Sequence, residues 1–260
     1  MVGLYAKTVI KLLTLLEDGE NNMTKGLIYY TDFHIDPLIQ SVCLSQLKKS
    51  FNGEMVSVSL NKPLDLGKNI VLKNRERSYL TMALQILTAL ENSTAKYIFF
   101  CEHDVLYSKS HFDFIPPKDN VYYYNIFNYR WDYPKNRAIS YDKLISLSGL
   151  CVNREFAIKH YKKRLELIQK KGWDKDKSKD PKWARRMGYE PGVKSKRLSL
   201  FLDNDYEIRE SQYPNIDIRH NKTFSPPKIK LNQFKHIPTN WKEETLEKIE
   251  GWNLKELFNL

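Results

Sequence analysis

Glu102, His103 and Asp104 close a wholly apolar run, Tyr97-Ile98-Phe99-Phe100-Cys101, and are followed at once by Val105 and Leu106. The run is short and rich in β-formers, which reads as a strand buried on both faces of a parallel sheet. Two carboxylates beside such a strand are costly to desolvate unless something offsets their charge. Open α/β sheets bind ligands outside the carboxyl ends of their strands. A divalent cation holding a phosphate is therefore the compensation this position suggests. In an extended segment residues two apart face one side, so Glu102 and Asp104 can converge on one ion while His103 points away. A strand that merely ends in a polar turn is the plainer alternative, and the tripeptide alone does not separate the two.

A cleft for these acids requires other strand ends beside them. Gly26 to Thr31 (GLIYYT) is a first strand, ending in Thr31-Asp32. Pro37 then opens a helix over Leu38 to Phe51, with Leu38, Ile39, Val42, Leu44 and Leu47 on its apolar face. Glu54 to Leu60 is a second strand. Asn61 to Asn69 reads as a loop, and Ile70-Val71-Leu72 resumes apolar character. Arg75-Glu76-Arg77 lead into a helix over Ser78 to Leu90, which turns directly into the acidic strand. This β-α-β-loop-α-β order implies a parallel sheet with right-handed crossovers. It places Thr31-Asp32, Asn61-Lys62 and Glu102–Asp104 on a common rim.

The second half is less regular. Val121 to Tyr129 is an aromatic strand, Asn153 to Gln169 an amphipathic helix, and Ser199 to Leu202 a short strand followed by Asp203 and Asp205. Asn215 to Arg219 is a strand that delivers His220 at its end. The organisation expected is one α/β domain over 26–235, with a mostly parallel sheet flanked by helices and an irregular C-terminal half. Residues 1–25 read as a peripheral helix and 236–260 as a helical or irregular tail. Within the domain, 26–113 form one half and 114–235 the other.

The chain of 260 residues carries 42 Lys and Arg against 31 Asp and Glu. Between Lys170 and Arg197 there are eleven basic residues against four acidic ones, so most of the excess lies in one segment. It is either a solvated loop or a platform for a polyanion such as nucleic acid or an anionic membrane. No apolar run approaches the roughly 20 residues that span a bilayer, and the first residues make a poor signal peptide. Cys43, Cys101 and Cys151 stand apart among apolar neighbours, as buried free thiols do in a reducing cytoplasm. A cytoplasmic location is the expectation.

Taken together, these blocks resemble a GT-A type glycosyltransferase of the family 2-like group, which uses nucleotide-diphosphate sugars. The carriers are the first strand with Thr31-Asp32, the block SVSLNKPLDLGKNIVLKNRERSYLTMALQILTALE, and YIFFCEHDVLYSKSHFDF. LSGLCVNRE, MGYEPG and PNIDIRH add to them, so the resemblance runs from about Gly26 to Phe234. It is nearer still to a branch, common in phage and bacterial sequences, in which EHDVLY replaces the usual DxD. The resemblance implies a Rossmann-like GT-A fold in which Glu102 and Asp104 bind Mn²⁺ or Mg²⁺ and the sugar diphosphate. His220 falls at the metal-binding histidine of that fold, and an imidazole tilts the choice toward Mn²⁺. Thr31 and Asp32 take the nucleoside, with a UDP-sugar favoured, while Arg75 or Arg77 reach ribose and phosphate. Ser78 stands where the group has glycine.

Inverting transfer also needs a carboxylate to deprotonate the acceptor hydroxyl. Glu190, between Tyr189 and Pro191, is the first candidate; Asp203 and Asp205 are the reserves. The acceptor expected is a polyanion such as a hydroxymethylated base in DNA, docked on Lys170 to Arg197, or else a surface or lipid-linked glycan. A sugar nucleotidyltransferase is a weaker reading, because YYTDFHIDP lacks the Gly-rich loop that holds triphosphate. A metal-dependent nuclease would need further acids. A non-catalytic nucleic-acid-binding protein would use Tyr122 to Tyr124 for stacking but leaves the acidic strand end unexplained.

Overall fold

The computed structural model describes residues 25–172, 188–193, 206–223 and 228–260. Strands β1 (Lys25–Thr31), β2 (Glu54–Leu60), β3 (Lys68–Leu72) and β4 (Tyr97–Glu102) are mutually parallel, in the order β3-β2-β1-β4. β9 (Leu150–Asn153) pairs antiparallel with β4 and with β6 (Tyr122–Asn125), and β10 (Tyr206–Arg209) extends the edge parallel to β6. β9 alone is reversed in this seven-stranded sheet. The fold is thus mixed α/β with a mostly parallel central sheet, as the alternating pattern demands.

Period-two alternation explains why the sheet is covered twice. Ile28 and Tyr30 of β1, with Ile98 and Phe100 of β4, pack under α2 (Tyr79–Glu91) and α3 (Arg154–Lys171). Their neighbours Leu27, Tyr29, Phe99 and Cys101 face the opposite side with Leu47 of α1 (Pro37–Ser50) and Phe112. Phe99 and Phe100 are both fully buried, and each such ring stabilises the fold by roughly 1.5–3 kcal/mol. The three cysteines are buried and free. Among the described residues no helix is long and apolar enough to cross a membrane.

Four local expectations are corrected. Residues 68–72 form a full edge strand, because pairing with β2 recruits Lys68 and Asn69 as well as the apolar triplet. In α1 the buried stripe is Ile39, Cys43, Leu47 and Ser50, while Leu38 is exposed, since the i, i+4 row sets the buried face. The aromatic stretch is not one strand. It breaks at Ile126-Phe127, where the Asn125 side chain accepts from Phe127 N and Asn128 donates to the Asn125 carbonyl, and the chain crosses into a second sheet.

That sheet has the order β12-β8-β7-β11-β5, with β5 (Val105–Leu106), β7 (Asn128–Asp132), β8 (Ala138–Ser140), β11 (Asn215–Arg219) and β12 (Lys242–Glu244). The fourth correction concerns its outer end. The stretch expected as a tail supplies β12 and α4 (Leu254–Phe258), and Leu246, Ile249, Leu254 and Phe258 are buried against Trp131, Ile39 and Ile218. Residues 1–24 lie outside the described part, and so does the expected peripheral helix.

Candidate active site

The carboxyl ends of β1 and β4 open into a cleft, as the strand order requires. Its lining includes Thr31 and Asp32 from β1, and Glu102, His103 and Asp104 from the β4 exit. Arg77 and Ser78 at the start of α2, Arg130 of β7, Asp217 and Arg219 of β11, and Glu190 complete its polar walls. Ser78 caps α2 by accepting from Thr81 N, so the serine in place of glycine serves as the helix cap. Gln85, buried inside α2, donates to the carbonyls of Thr31 and Val58 and ties that helix to two strand ends.

Glu102 ends β4 and Asp104 lies in the turn before β5. The Tyr30 hydroxyl donates to Glu102 Oε1 at 2.8 Å. Burial, reinforced by the charge of Asp104, lifts the Glu102 carboxyl from 4.5 to about 8. Burial also acts upward on Asp104, but His220, His103 and Arg219 together hold it below its ordinary value. Of the two carboxyl groups, Glu102 is thus the one that holds its proton more tightly. His103 does not point away. Residues 103 and 104 form a turn rather than extended chain, so His103 enters the same cleft, with Nδ1 2.9 Å from Thr31 Oγ1.

β11 brings His220 to the acids from far along the chain. His220 is buried, and its Nε2 lies 3.6 Å from Asp104 Oδ2, an electrostatic contact longer than a hydrogen bond. Its Nδ1 accepts from Lys222 N at 3.2 Å, which places the proton of the neutral ring on Nε2. In that tautomer the ring supports Asp104 rather than offering a lone pair to a cation.

The arginines of the cleft are engaged. Arg77 Nε lies 2.6 Å from Asp32 Oδ2. Arg130 Nε lies 3.4 Å from Asp217 Oδ2, and Arg219 lies 3.2 Å from both oxygens of Asp217. Asp32 and Asp217 are thus balanced within the protein, whereas Glu102 and Asp104 share too little positive charge for both to ionise. That imbalance fits a divalent cation. Among the described residues no group of three or more His, Cys, Asp or Glu is arranged around one point. The ion that suits two carboxylates is one that keeps waters and takes further oxygens from phosphate, as Mg²⁺ does.

Glu190 lies among the described residues 188–193. Burial raises its carboxyl above the ordinary range, while local backbone N–H groups, Arg164 and Arg130 act against the rise. Arg75 is exposed and outside the cleft lining; its carbonyl accepts from Asn61 Nδ2. Asp203, Asp205 and most of Lys170 to Arg197 lie outside the described residues. Sequence reasoning missed Asp217, Arg219 and Arg130. The first two carried a signal: in NIDIR, Asp217 and Arg219 alternate with buried Ile216 and Ile218, so they share one face. Arg130 carried none.

No family model matches the chain, and no curated protein matches it. Among solved structures, the apo-form glycosyltransferase GlyE of Streptococcus pneumoniae TIGR4 aligns with 59% of this chain and 41% of its own, at 10% identity and a TM-score of 0.36. A second GlyE structure aligns with 73% of this chain and 46% of its own, at 10% identity and a TM-score of 0.38. The chain thus spans less than half the length of the GlyE chains it aligns with.

Proposed function

We propose that the protein is a GT-A type glycosyltransferase that moves a sugar from a nucleotide-diphosphate sugar to an acceptor hydroxyl. The observation that carries this reading is one cleft, at the carboxyl end of a parallel sheet, that unites the under-neutralised pair Glu102 and Asp104 with a separate half-buried carboxyl group, Glu190. Thr31, Asp32 and Arg77 form the end of β1 where the nucleoside would dock. Glu102 and Asp104 would hold Mn²⁺ or Mg²⁺, with His220 supporting Asp104. A divalent cation bound there would neutralise the diphosphate and stabilise it as a leaving group.

The chain's own groups do the rest. As the bond from the anomeric carbon to the diphosphate breaks, the electron pair stays on phosphate oxygen, where Arg130 and Arg219 can stabilise the developing charge. The acceptor oxygen bonds to the anomeric carbon and its proton passes to Glu190. A carboxyl raised by burial is better matched to that transfer near neutral pH than an exposed one. UDP-sugar is the favoured donor, and the acceptor is a hydroxymethylated DNA base or a glycan.

A thermal-shift panel of nucleotide sugars, with and without Mn²⁺, tests the reading. A specific donor at a hundred times its Kd stabilises by about 2.7 kcal/mol, which raises Tm by roughly 5–10 °C in a chain of this size. The expected pattern is one donor class that shifts Tm with Mn²⁺ and not with EDTA, and loss of that metal-dependent part in Asp104→Ala. A panel with no responding nucleotide sugar, or a full shift in Asp104→Ala, would overturn it.

A further inference from the structure

Arg164, on α3, is only 2% exposed. A guanidinium taken out of water is expensive unless its donors and charge are satisfied, so its partners define what it is for. Its NH1 donates to the Gly188 carbonyl at 2.7 Å and also contacts the Tyr79 hydroxyl. Its Nε and NH2 meet His160 Nε2 at 3.2 and 3.0 Å. Burial drives His160 down to about 3, so that ring is neutral and adds no competing charge. The Tyr79 hydroxyl donates to the same Gly188 carbonyl at 2.9 Å, and the Tyr189 ring packs edge-on against Tyr79. Three residues further on, the Tyr124 hydroxyl donates to the Pro191 carbonyl at 2.6 Å.

The carbonyls of Gly188 and Pro191 bracket Glu190. Each is gripped by a buried side chain from a different element: Tyr79 of α2 and Arg164 of α3 on one side, Tyr124 of β6 on the other. These bonds tie the stretch around Glu190 to α2, α3 and β6. Arg164 also acts on the carboxyl electrostatically, opposing the effect of burial together with Arg130 of β7. Tyr124 and Tyr161 face the same carboxyl as neutral phenols, since their own pKa values are pushed well up, first by burial and then in part by Glu190.

We infer that Arg164, Tyr79 and Tyr124 form a clamp that positions Glu190 in the cleft, with Arg164 also supplying positive charge to its carboxyl. This rests on the proposed function only for the role given to Glu190; the clamp itself can be tested without any substrate. Arg164 is a positioning residue here, since it acts through Glu190.

The test uses the whole chain labelled with ¹³C-carboxyl glutamate, the Glu190 resonance being assigned by its loss in Glu190→Gln. In Arg164→Met the Glu190 pKa should rise by about one unit or more, and Arg164→Lys, which keeps the charge, should show little of that rise. Hydrogen exchange of the 188–193 amides should quicken about tenfold in Tyr124→Phe, which removes one hydrogen bond and no charge, with the Glu190 pKa nearly unmoved. Tyr79→Phe should act in the same way if Arg164→Met fails to fold. Unchanged exchange in both phenylalanine variants, or an unchanged Glu190 pKa in a folded Arg164→Met, overturns the clamp. Full transfer activity in Glu190→Gln would instead overturn the role of Glu190 as base and leave the clamp measurements to stand or fall by themselves.

Discussion

Glu102→Gln isolates the charge imbalance of the cleft. The amide keeps the shape of the side chain and can still accept from the Tyr30 hydroxyl, but it cannot ionise. In the folded protein the Glu102 carboxyl titrates near 8 instead of 4.5. Its folded value lies above its unfolded value, so the native state holds the proton more tightly. The associated stability is fully present below pH 4.5 and is lost as pH rises through that window toward and past 8. At about 1.4 kcal/mol per pH unit, the difference between 8 and 4.5 corresponds to at most roughly 5 kcal/mol at the alkaline limit. Asp104 shares the proton economy and reduces the net figure. With about 2–4 °C of Tm per kcal/mol in a chain of this size, Glu102→Gln should melt up to about 10 °C higher than the unsubstituted protein at pH 8.5 and level with it at pH 4.5. The assay is differential scanning fluorimetry across that range in EDTA. Addition of Mn²⁺ at pH 8.5 should raise the unsubstituted protein toward the variant. Parallel Tm curves for the two proteins would refute the charge imbalance and, with it, the argument for a cation at this pair.

Arg77→Ala should weaken nucleotide-sugar binding about ten- to a hundredfold by calorimetry, the usual scale for a hydrogen bond to a charged group. Asp32 would also lose the partner that now lies 2.6 Å from it. Gly149→Ala should lower stability by about 1–3 kcal/mol, read from urea unfolding, because the new Cβ would fall 2.5 Å from the Asn125 carbonyl and push the Ser146–Ser148 wall of the cleft. Phe258→Ala should cost about 3–5 kcal/mol in the same experiment, since that ring is 2% exposed and stands edge-on to Trp131 at 4.8 Å.

What could be read in advance follows the range of the forces involved. Thr31, Asp32, Glu102 and Asp104 were legible because short apolar strands alternating with helices oblige a parallel sheet, and a parallel sheet brings strand ends to one rim. Arg77 was implied only together with Arg75, by the family resemblance, and the fold alone puts Arg77 in the cleft lining and Arg75 outside it. The second sheet was not. β5 is two residues long and pairs Leu106 with Ile216 and Val105 with Asp217, contacts that leave no local pattern. His103 was misjudged because an extended chain was assumed where a turn forms. Arg164 falls three residues after buried Tyr161 and four before buried Ile168, which puts it on the buried face of α3, but nothing in the sequence names the Gly188 carbonyl as its partner.

The pairing of β5 with β11 also bears on how the protein is made. Asp104 accepts from Ile218 N at 2.8 Å, so the acidic turn is held by residues that leave the ribosome more than a hundred positions later. The N-terminal half can lay down β1 to β4 early, as domains commonly do during synthesis. Asp217, Arg219 and His220 reach the cleft only afterward. A chain broken off before that point would own the acids and lack the groups that support them, which makes assembly of this cleft a report that synthesis has run past residue 220.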